Sequence, residues 1–571
     1  MGHDPWTELR ERAEGVRATI EATLRVRAHA ELAEAPEDKG LFSLAVFPYS
    51  KETRQPPAEV ARRAASVPVP APFAPLQAVG GYVNFVPDPP AFAALVMGSA
   101  ASAGPAYGSS PPVPTRVLLE HTSTNPTGPL HVGRARNPIY GDALARLLRM
   151  AGFPVSREYL VNDMGRQMVV QYWGTKHLRP DEVGPPDLDK PDYRFIKYYQ
   201  KATEIFERDP QAKADVAAMI QRFEQGDAGL VREVRKVGEE VLAGILQSLK
   251  RLGVGFDSFF WESDLILDGR VQQVMERLMP LSREEDGAHY LDLSSFGLEG
   301  DAAKYFFVRK DGTSLYTTRD IAYHLDKMGR CDLAINVLGE DQKLTFQRLK
   351  AAFRLMRIDW APETIFYAFV SLPEGKMSTR KGVVVNLDDL IDEAVARAYA
   401  EVSKRREDLP ELRKREIAEF VGVGAVRYNL VRVQAEKRIV FKWEEALNFE
   451  GNSAPFLQYA HARACSILEK AGSWTKGDAR LLVHPQEQLL LRRIARFPSA
   501  VRDAAISRRV HTVATFAADI AGQFNQFYRD CPVLTAETPA LRAARLDLVA
   551  AFRVVLQNAL QSLGLVAPKE M

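Results

Sequence analysis

Two short runs in this chain concentrate groups that handle anions. The first is HTSTNPTGPLHVGRAR, His121–Arg136, which holds two prolines, two glycines, two histidines and two arginines directly after the apolar run Val117–Leu119. Its prolines and glycines forbid a long helix or strand, so it reads as a tight turn leaving a strand, with helix resuming by Asn137. A strand, a glycine-bearing turn and a helix N-terminus make an anion site, because backbone N–H groups and the helix dipole point at one spot. His131, Arg134 and Arg136 add donors or charge there. Neither GxxxxGK[ST] nor GxGxxG is present, so the usual nucleotide fingerprints do not account for the turn; a polar loop without a ligand is the competing reading. The second run is PEGKMSTRKGVVV, Pro373–Val385, in which Lys376, Arg380 and Lys381 lie between Gly375 and Gly382. A glycine-hinged cationic loop can clamp a transferring phosphate and then release it. Taken alone, a solvated basic loop explains it as well.

The elements that must position these runs follow from periodicity. Arg116–Glu120 and Ser156–Asn162 read as strands, with a helix over Asn137–Ala151 between them. Asp332–Leu338 and Ile365–Leu372 read as further buried strands, and strands alternating with helices argue for a parallel α/β sheet over 111–405. Val234, Val237, Val241, Ile245 and Leu249 recur at helical spacing before Gly253, so residues from about 166 to 300 are expected to be a helical insertion between two halves of that sheet. Lys304–Thr317 reads as a hairpin turning at Asp311-Gly312. Residues 1–110 read as a small α+β domain that opens on a charged helix, Thr7–Ala30, and closes on a low-complexity linker, GSAASAGPAYGSSPPVPT. From about 406 to the end the pattern is helical.

Bulk properties narrow the class. The length of 571 residues suggests three or four domains at ~150 residues each. Hydrophobic residues at 46% and charged residues at 26% are ordinary for a soluble globular protein. With 75 Lys plus Arg against 73 Asp plus Glu, any phosphate-binding face must come from a local patch. Cys331, Cys465 and Cys531 are far apart and lack zinc-ligand spacing, so no protein metal and a reducing compartment are expected. No signal peptide or membrane-length apolar run is visible, so a cytoplasmic protein without membrane contact is expected. No heptad seam is visible either, and a monomer is expected.

Together the two runs resemble the paired signatures of class I aminoacyl-tRNA synthetases: HVGR stands where that family has HIGH, and KMSTR where it has KMSKS. Further segments narrow the resemblance to the arginyl-tRNA synthetases: EHTSTNPTGPLHVGRARNPIYGD, DGTSLYTTRDIAYHLDK, VLGEDQKLTFQRLK, GNSAPFLQYAHAR, the terminal LGLVAPKEM, and GYVNF near the end of the first block. The resemblance spans nearly the whole chain. It implies a multidomain α/β protein with a tRNA-binding α+β domain over 1–110, a Rossmann-like catalytic domain over 111–405 with its insertion, and an all-helical anticodon-binding domain over 406–571. It implies an arginine–tRNA ligase that takes L-arginine, ATP with Mg²⁺, and tRNA(Arg). His131, Gly133, Arg134, Lys376, Met377 and Ser378 would hold ATP; His131, Arg134, Lys376 and Lys381 would serve the transfer. Glu120, Asn125 and His131 would hold the amino-acid end of arginine, and Tyr316, Asp320 and Gln342 would line its side-chain pocket, with Asp320 facing the guanidinium. A carboxylate suits that planar pair of donors and rejects the point charge of lysine. Tyr316 and Asp320 are spaced to share a helix face; a helix cap or surface pair is the plainer alternative.

Two departures from the family pattern stand out: Arg134 replaces the last signature histidine, and Gln342 follows Asp341 where a histidine is frequent. In the helical block, Gln458, Tyr459, Arg463, Phe524 and Tyr528 are the candidate tRNA contacts, with burial in a core as the alternative for about half of the aromatics. Lys404, Arg405 and Arg406 are equally suited to backbone phosphate or to a solvated helix end. A tRNA-binding chain that no longer charges is the reading from another class, favoured only by Arg134. A class I synthetase for another amino acid is disfavoured by the Tyr316–Asp320 pair.

Overall fold

Five parallel strands run through the middle of the molecule in the spatial order Glu363–Tyr367, Leu333–Gly339, Val117–Glu120, Val155–Val161, Ser258–Trp261. The structure, a computed structural model, describes residues 4–373 and 385–571. The central strand, Val117–Glu120, is buried at all four positions, as a strand covered on both faces requires. Its last residue, Glu120, is in register with Asn336 on one side and Glu158 on the other. Helix Arg136–Met150 crosses back from that strand with almost every residue buried. It fits closely because Gly141 leaves room for the His121 ring, whose Cγ would lie 2.3 Å from a Cβ there.

The expected insertion is only partly an insertion. Five helices, from Arg166–His177 to Ala228–Arg251, do interrupt the sheet, and the last buries Val234, Val237, Val241, Ile245 and Leu249. The turn Leu252–Gly253 ends it, with Gly253 at φ +70°. The chain then returns to the main sheet as strand Ser258–Trp261. That strand is four residues long and mostly aromatic, so it shows no alternation to separate it from the helices around it. Beyond it lies a second sheet, antiparallel, of Ser282–Glu285, Ala288–Asp292 and Lys304–Val308. The expected hairpin over Lys304–Thr317 survives as a turn: the Gly312 amide donates to the Arg309 carbonyl and Val308 bridges Ser314, but Thr317 already belongs to helix Tyr316–Arg330. The expected strand Ile365–Leu372 is split between Glu363–Tyr367 in the main sheet and Val370–Ser371, which pairs with Ile439–Val440.

The N-terminal α+β part has a four-stranded antiparallel sheet under helix Pro5–Leu24, which Asp4 caps and Arg25, at φ 56°, ends short of the expected Ala30. The segment read as a linker is not free. Helix Pro89–Ala103 takes in its first residues, and Tyr107 is buried, with its hydroxyl donating to the Ile494 carbonyl. Asn558 donates to the Pro105 and Tyr107 carbonyls, so the segment is strapped to the C-terminal helices. Those helices run from Glu411–Val431 to Pro539–Ser562. No helix among the described residues is long and apolar enough to cross a membrane.

Candidate active site

A cleft of roughly 360 Å³ opens at the carboxyl ends of the parallel strands, where α/β sheets hold ligands. Glu120, Asn162, Glu262 and Asp341 reach it from the ends of four strands, and helix Tyr316–Arg330 forms one wall. Of the residues expected from the sequence, Glu120, Asn125, Arg134, Tyr316, Asp320 and Gln342 all line this cleft. Tyr316 opens the wall helix and is half-exposed; Asp320 follows one turn later on the same side.

His131 and Gly133 lie in the turn that leads to Arg134 rather than on the cleft wall. The Gly133 amide donates to His131 Nδ1 at 2.9 Å. With Nδ1 accepting, the neutral ring carries its proton on Nε2, where it is a donor. Partial burial and the charge of Arg134 lower the His131 pKa and so favour that neutral form. The flanks of the two signature runs meet here: Val132 N–H donates to the Val385 carbonyl at 3.0 Å, Leu387 N–H to the Leu130 carbonyl at 2.7 Å, and His131 bridges Asn386. Lys376, Met377, Ser378, Arg380 and Lys381 lie outside the described residues.

The two departures from the family pattern are neighbours in space. Arg134 pairs with Asp341 at 3.9 Å and its guanidinium lies 6.0 Å from the centre of the Phe369 ring. Gln342 Nε2 donates to the same Asp341 carboxylate at 3.1 Å. One carboxylate thus orients both substitutes.

Glu120 is buried and does not stand free. Lys327, fully buried, donates to its Oε2, and Ser123 Oγ donates to Oε1 at 3.0 Å. Burial pushes the Glu120 carboxyl up, but the Lys327 charge and these hydrogen bonds outweigh it and hold the group below the usual carboxylate range. The backbone just after it is strained: Thr122 has φ 72° and Ser123 φ 40°. Asn137 holds this bend, accepting from the Thr122 amide at 2.8 Å and donating to the Val337 carbonyl at 3.1 Å. Sequence reasoning missed Asn137, His324, Lys327 and Asn336. Lys327 was visible three residues after His324 and seven after Asp320, on the Asp320 helix face, but a lysine there reads as solvated until burial is known.

Two of the tRNA-contact expectations are overturned. Gln458 is fully buried and donates to the Phe420 and Val566 carbonyls, stapling the terminal segment to helix Glu411–Val431. Phe524 is fully buried and stacks on Phe552 with ring centroids 3.9 Å apart. Neither can meet a base, because each has its recognition surface spent on the core. Tyr459 and Tyr528 are exposed, and the Arg463 guanidinium lies over both rings at 4.8 and 5.6 Å while donating to Asn525.

Comparison with known proteins agrees with this geometry. The sequence model of "tRNA synthetases class I (R), catalytic domain" matches residues 103–443, and that of the "DALR anticodon binding domain" matches 457–571. The arginine–tRNA ligase of Methanocella arvoryzae is 51% identical over 80% of this chain and 80% of its own length. That of Methanothermobacter thermautotrophicus is 42% identical over 98% of this chain and 99% of its own. The structure of the Thermus thermophilus arginyl-tRNA synthetase superposes with a TM-score of 0.82 at 29% identity, covering 99% of this chain and 100% of that one. A parallel sheet with the Arg134 turn at its carboxyl edge, followed by a helical C-terminal part, thus agrees with sequence matches along the whole chain: it belongs to the class I arginyl-tRNA synthetase family.

Proposed function

We infer that this chain is an arginine–tRNA ligase, which activates L-arginine with ATP and transfers it to tRNA(Arg). The observation that carries the reading is one cleft in which Asp320, on the wall helix, faces the same space as the Arg134 turn. An amino acid and a nucleotide can therefore share it. The arginine carboxylate attacks the α-phosphate of ATP, giving arginyl-adenylate and pyrophosphate. A ribose hydroxyl of the terminal adenosine of tRNA then attacks the adenylate carbonyl and releases AMP.

Such phosphoryl transfer needs positioning and charge stabilisation more than covalent help. His131 donates from Nε2 to the ATP phosphates, and Arg134 stabilises their charge. Asp320 takes the guanidinium in paired hydrogen bonds, beside the Tyr316 ring. Asn125 and Gln342 contact the rest of arginine. Lys376 and Lys381, with Met377 and Ser378, complete the ATP side as the second signature run; Mg²⁺ arrives with ATP as part of the substrate. Tyr459, Arg463 and Tyr528 offer a tRNA face, since two exposed rings around a guanidinium suit stacked bases. We read the enzyme as a cytoplasmic monomer.

The test is transfer of labelled arginine to total tRNA by the parent and by Asp320→Ala. Charging by the parent and its loss in the variant is the expected result. Charging by both would keep the ligase and overturn the guanidinium assignment. Binding of tRNA without charging by the parent would identify a chain that has lost catalysis.

A further inference from the structure

Asp320, His324 and Lys327 follow one another at four- and three-residue steps down one face of helix Tyr316–Arg330. That face lies against the ends of two neighbouring strands, where Glu120 and Asn336 are paired in register. Lys327 Nζ donates to Glu120 and, at 2.9 Å, to Asn336 Oδ1. Asn336 Nδ2 lies 2.8 Å from His324 Nε2. His324 Nδ1 lies 3.1 Å from Asp320 Oδ1 and 2.8 Å from the Asp320 carbonyl oxygen. His324, Lys327 and Asn336 are buried, the first and last in the cleft wall, and the less buried Asp320 opens to the cleft.

The polarity of this chain is forced. An ammonium has only donors, so the amide oxygen of Asn336 must face Lys327. That turns the amide NH₂ toward His324, whose Nε2 can then only accept. The ring proton is left on Nδ1, aimed at Asp320. A protonated His324 would set two N–H groups against each other, and Asn336 cannot turn to relieve this without presenting its own NH₂ to Lys327.

We propose that His324 is the positioning residue for arginine selection: its Nδ1–H, bonded to the Asp320 carbonyl at 2.8 Å, also faces one oxygen of the Asp320 carboxylate at 3.1 Å and fixes it, leaving the remaining lone pairs to the cleft. Lys327, acting through Asn336, locks the ring in the tautomer that does this. A carboxylate held in one orientation accepts two parallel N–H bonds from a guanidinium, whereas one free to rotate discriminates less between guanidinium and ammonium. The proposal rests on the reading of Asp320 as the guanidinium partner.

The experiment compares charging kinetics of the full-length parent with His324→Asn, His324→Gln, Asn336→Ser and Asp320→Ala. An asparagine amide sits where Nδ1 sits and can still donate to Asp320; a glutamine amide reaches the Nε2 position and cannot. The expected result is an arginine KM within about twofold of the parent for His324→Asn and about tenfold higher for His324→Gln, the loss of one hydrogen bond to a charged group, with the KM for ATP unchanged in both. Asn336→Ser, which leaves Lys327 paired with Glu120, should raise the arginine KM in the same selective way, and it serves if the histidine variants do not fold. Equal arginine KM values for His324→Asn and His324→Gln, or a parallel rise in the KM for ATP, would overturn the positioning role. An unchanged arginine KM in Asp320→Ala would instead overturn the underlying site reading.

Discussion

At the scale of single residues, two of the cleft carboxylates, Asp320 and Glu120, differ in their partners. Asp320 faces the open space and is available to a cationic substrate, whereas Glu120 is already neutralised by a buried lysine. Variants at the two positions should therefore fail differently. Asp320→Asn keeps the shape and removes the charge, so it should raise the arginine KM about thirtyfold or more while leaving the melting temperature near the parent value. ATP–pyrophosphate exchange in the presence of tRNA, read beside a thermal melt, checks both halves of this. Glu120→Gln leaves the Lys327 ammonium buried without its counter-charge, and should cost about 3 kcal/mol of stability. A denaturant titration measures it; a variant as stable as the parent would show that Lys327 finds another partner. Loss of charging by Glu120→Gln therefore says little about substrate contact unless the fold is shown to be intact.

At the scale of elements, the turn between strand Val117–Glu120 and helix Arg136–Met150 combines positive φ at Thr122 and Ser123 with a buried histidine. His121 is fully buried, its ring tilted against Phe256 with centroids 4.7 Å apart, and burial lowers its pKa to about 4. A histidine whose folded pKa lies below its unfolded value contributes stability that is present above the unfolded pKa. That contribution is lost as pH falls from about 6.5 toward 4, because the unfolded chain takes up the proton first. His121→Phe should remove roughly 3 kcal/mol of that acid sensitivity. The measurement is the difference in unfolding free energy between pH 7 and pH 4.5, in parent and variant; equal differences would mean that the ring is solvated in acid before unfolding. Helix Val510–Asp530 offers a parallel case. Phe524→Ala should cost about 3–5 kcal/mol through the cavity left beside Phe552, while Tyr528→Ala should be nearly neutral for stability.

At the scale of the whole molecule, three distant parts meet at one guanidinium. Arg427, fully buried, donates to Asp142 in the signature helix, to the Leu252 carbonyl at the end of the insertion and to the Leu563 carbonyl at the end of the last long helix. Gly564 is required beside it, since a Cβ there would lie 1.8 Å from Arg427 Nη2. The N-terminal part docks on the same C-terminal helices through Arg502 with Asp4, and through Arg492 with the Ala35 and Gly40 carbonyls. The proposed tRNA face of Tyr459, Arg463 and Tyr528 shares no residue with the cleft. Arg463→Ala should therefore raise the KM for tRNA severalfold, by loss of stacking and charge, with the arginine KM measured at saturating tRNA unchanged. A shift in both constants would mean that this face reports to the cleft.

The sequence by itself determined the turn that leaves the central strand, the parallel alternation around it, the placing of Tyr316 and Asp320 on one helix and the family, because each rests on local features: glycine and proline placement, short-range periodicity and contiguous runs. Only the tertiary structure decided which polar residues are inside. Lys327 and Gln458 look solvated and are buried; Phe524 looks like a platform for bases and is core; strand Ser258–Trp261 looks like part of an insertion and completes the main sheet. Burial is set by what the rest of the chain packs against a position, and Glu120 and Lys327 are 207 residues apart in sequence. The pairing that neutralises one and the chain of hydrogen bonds that aims the other's neighbours exist only once strand and helix have come together.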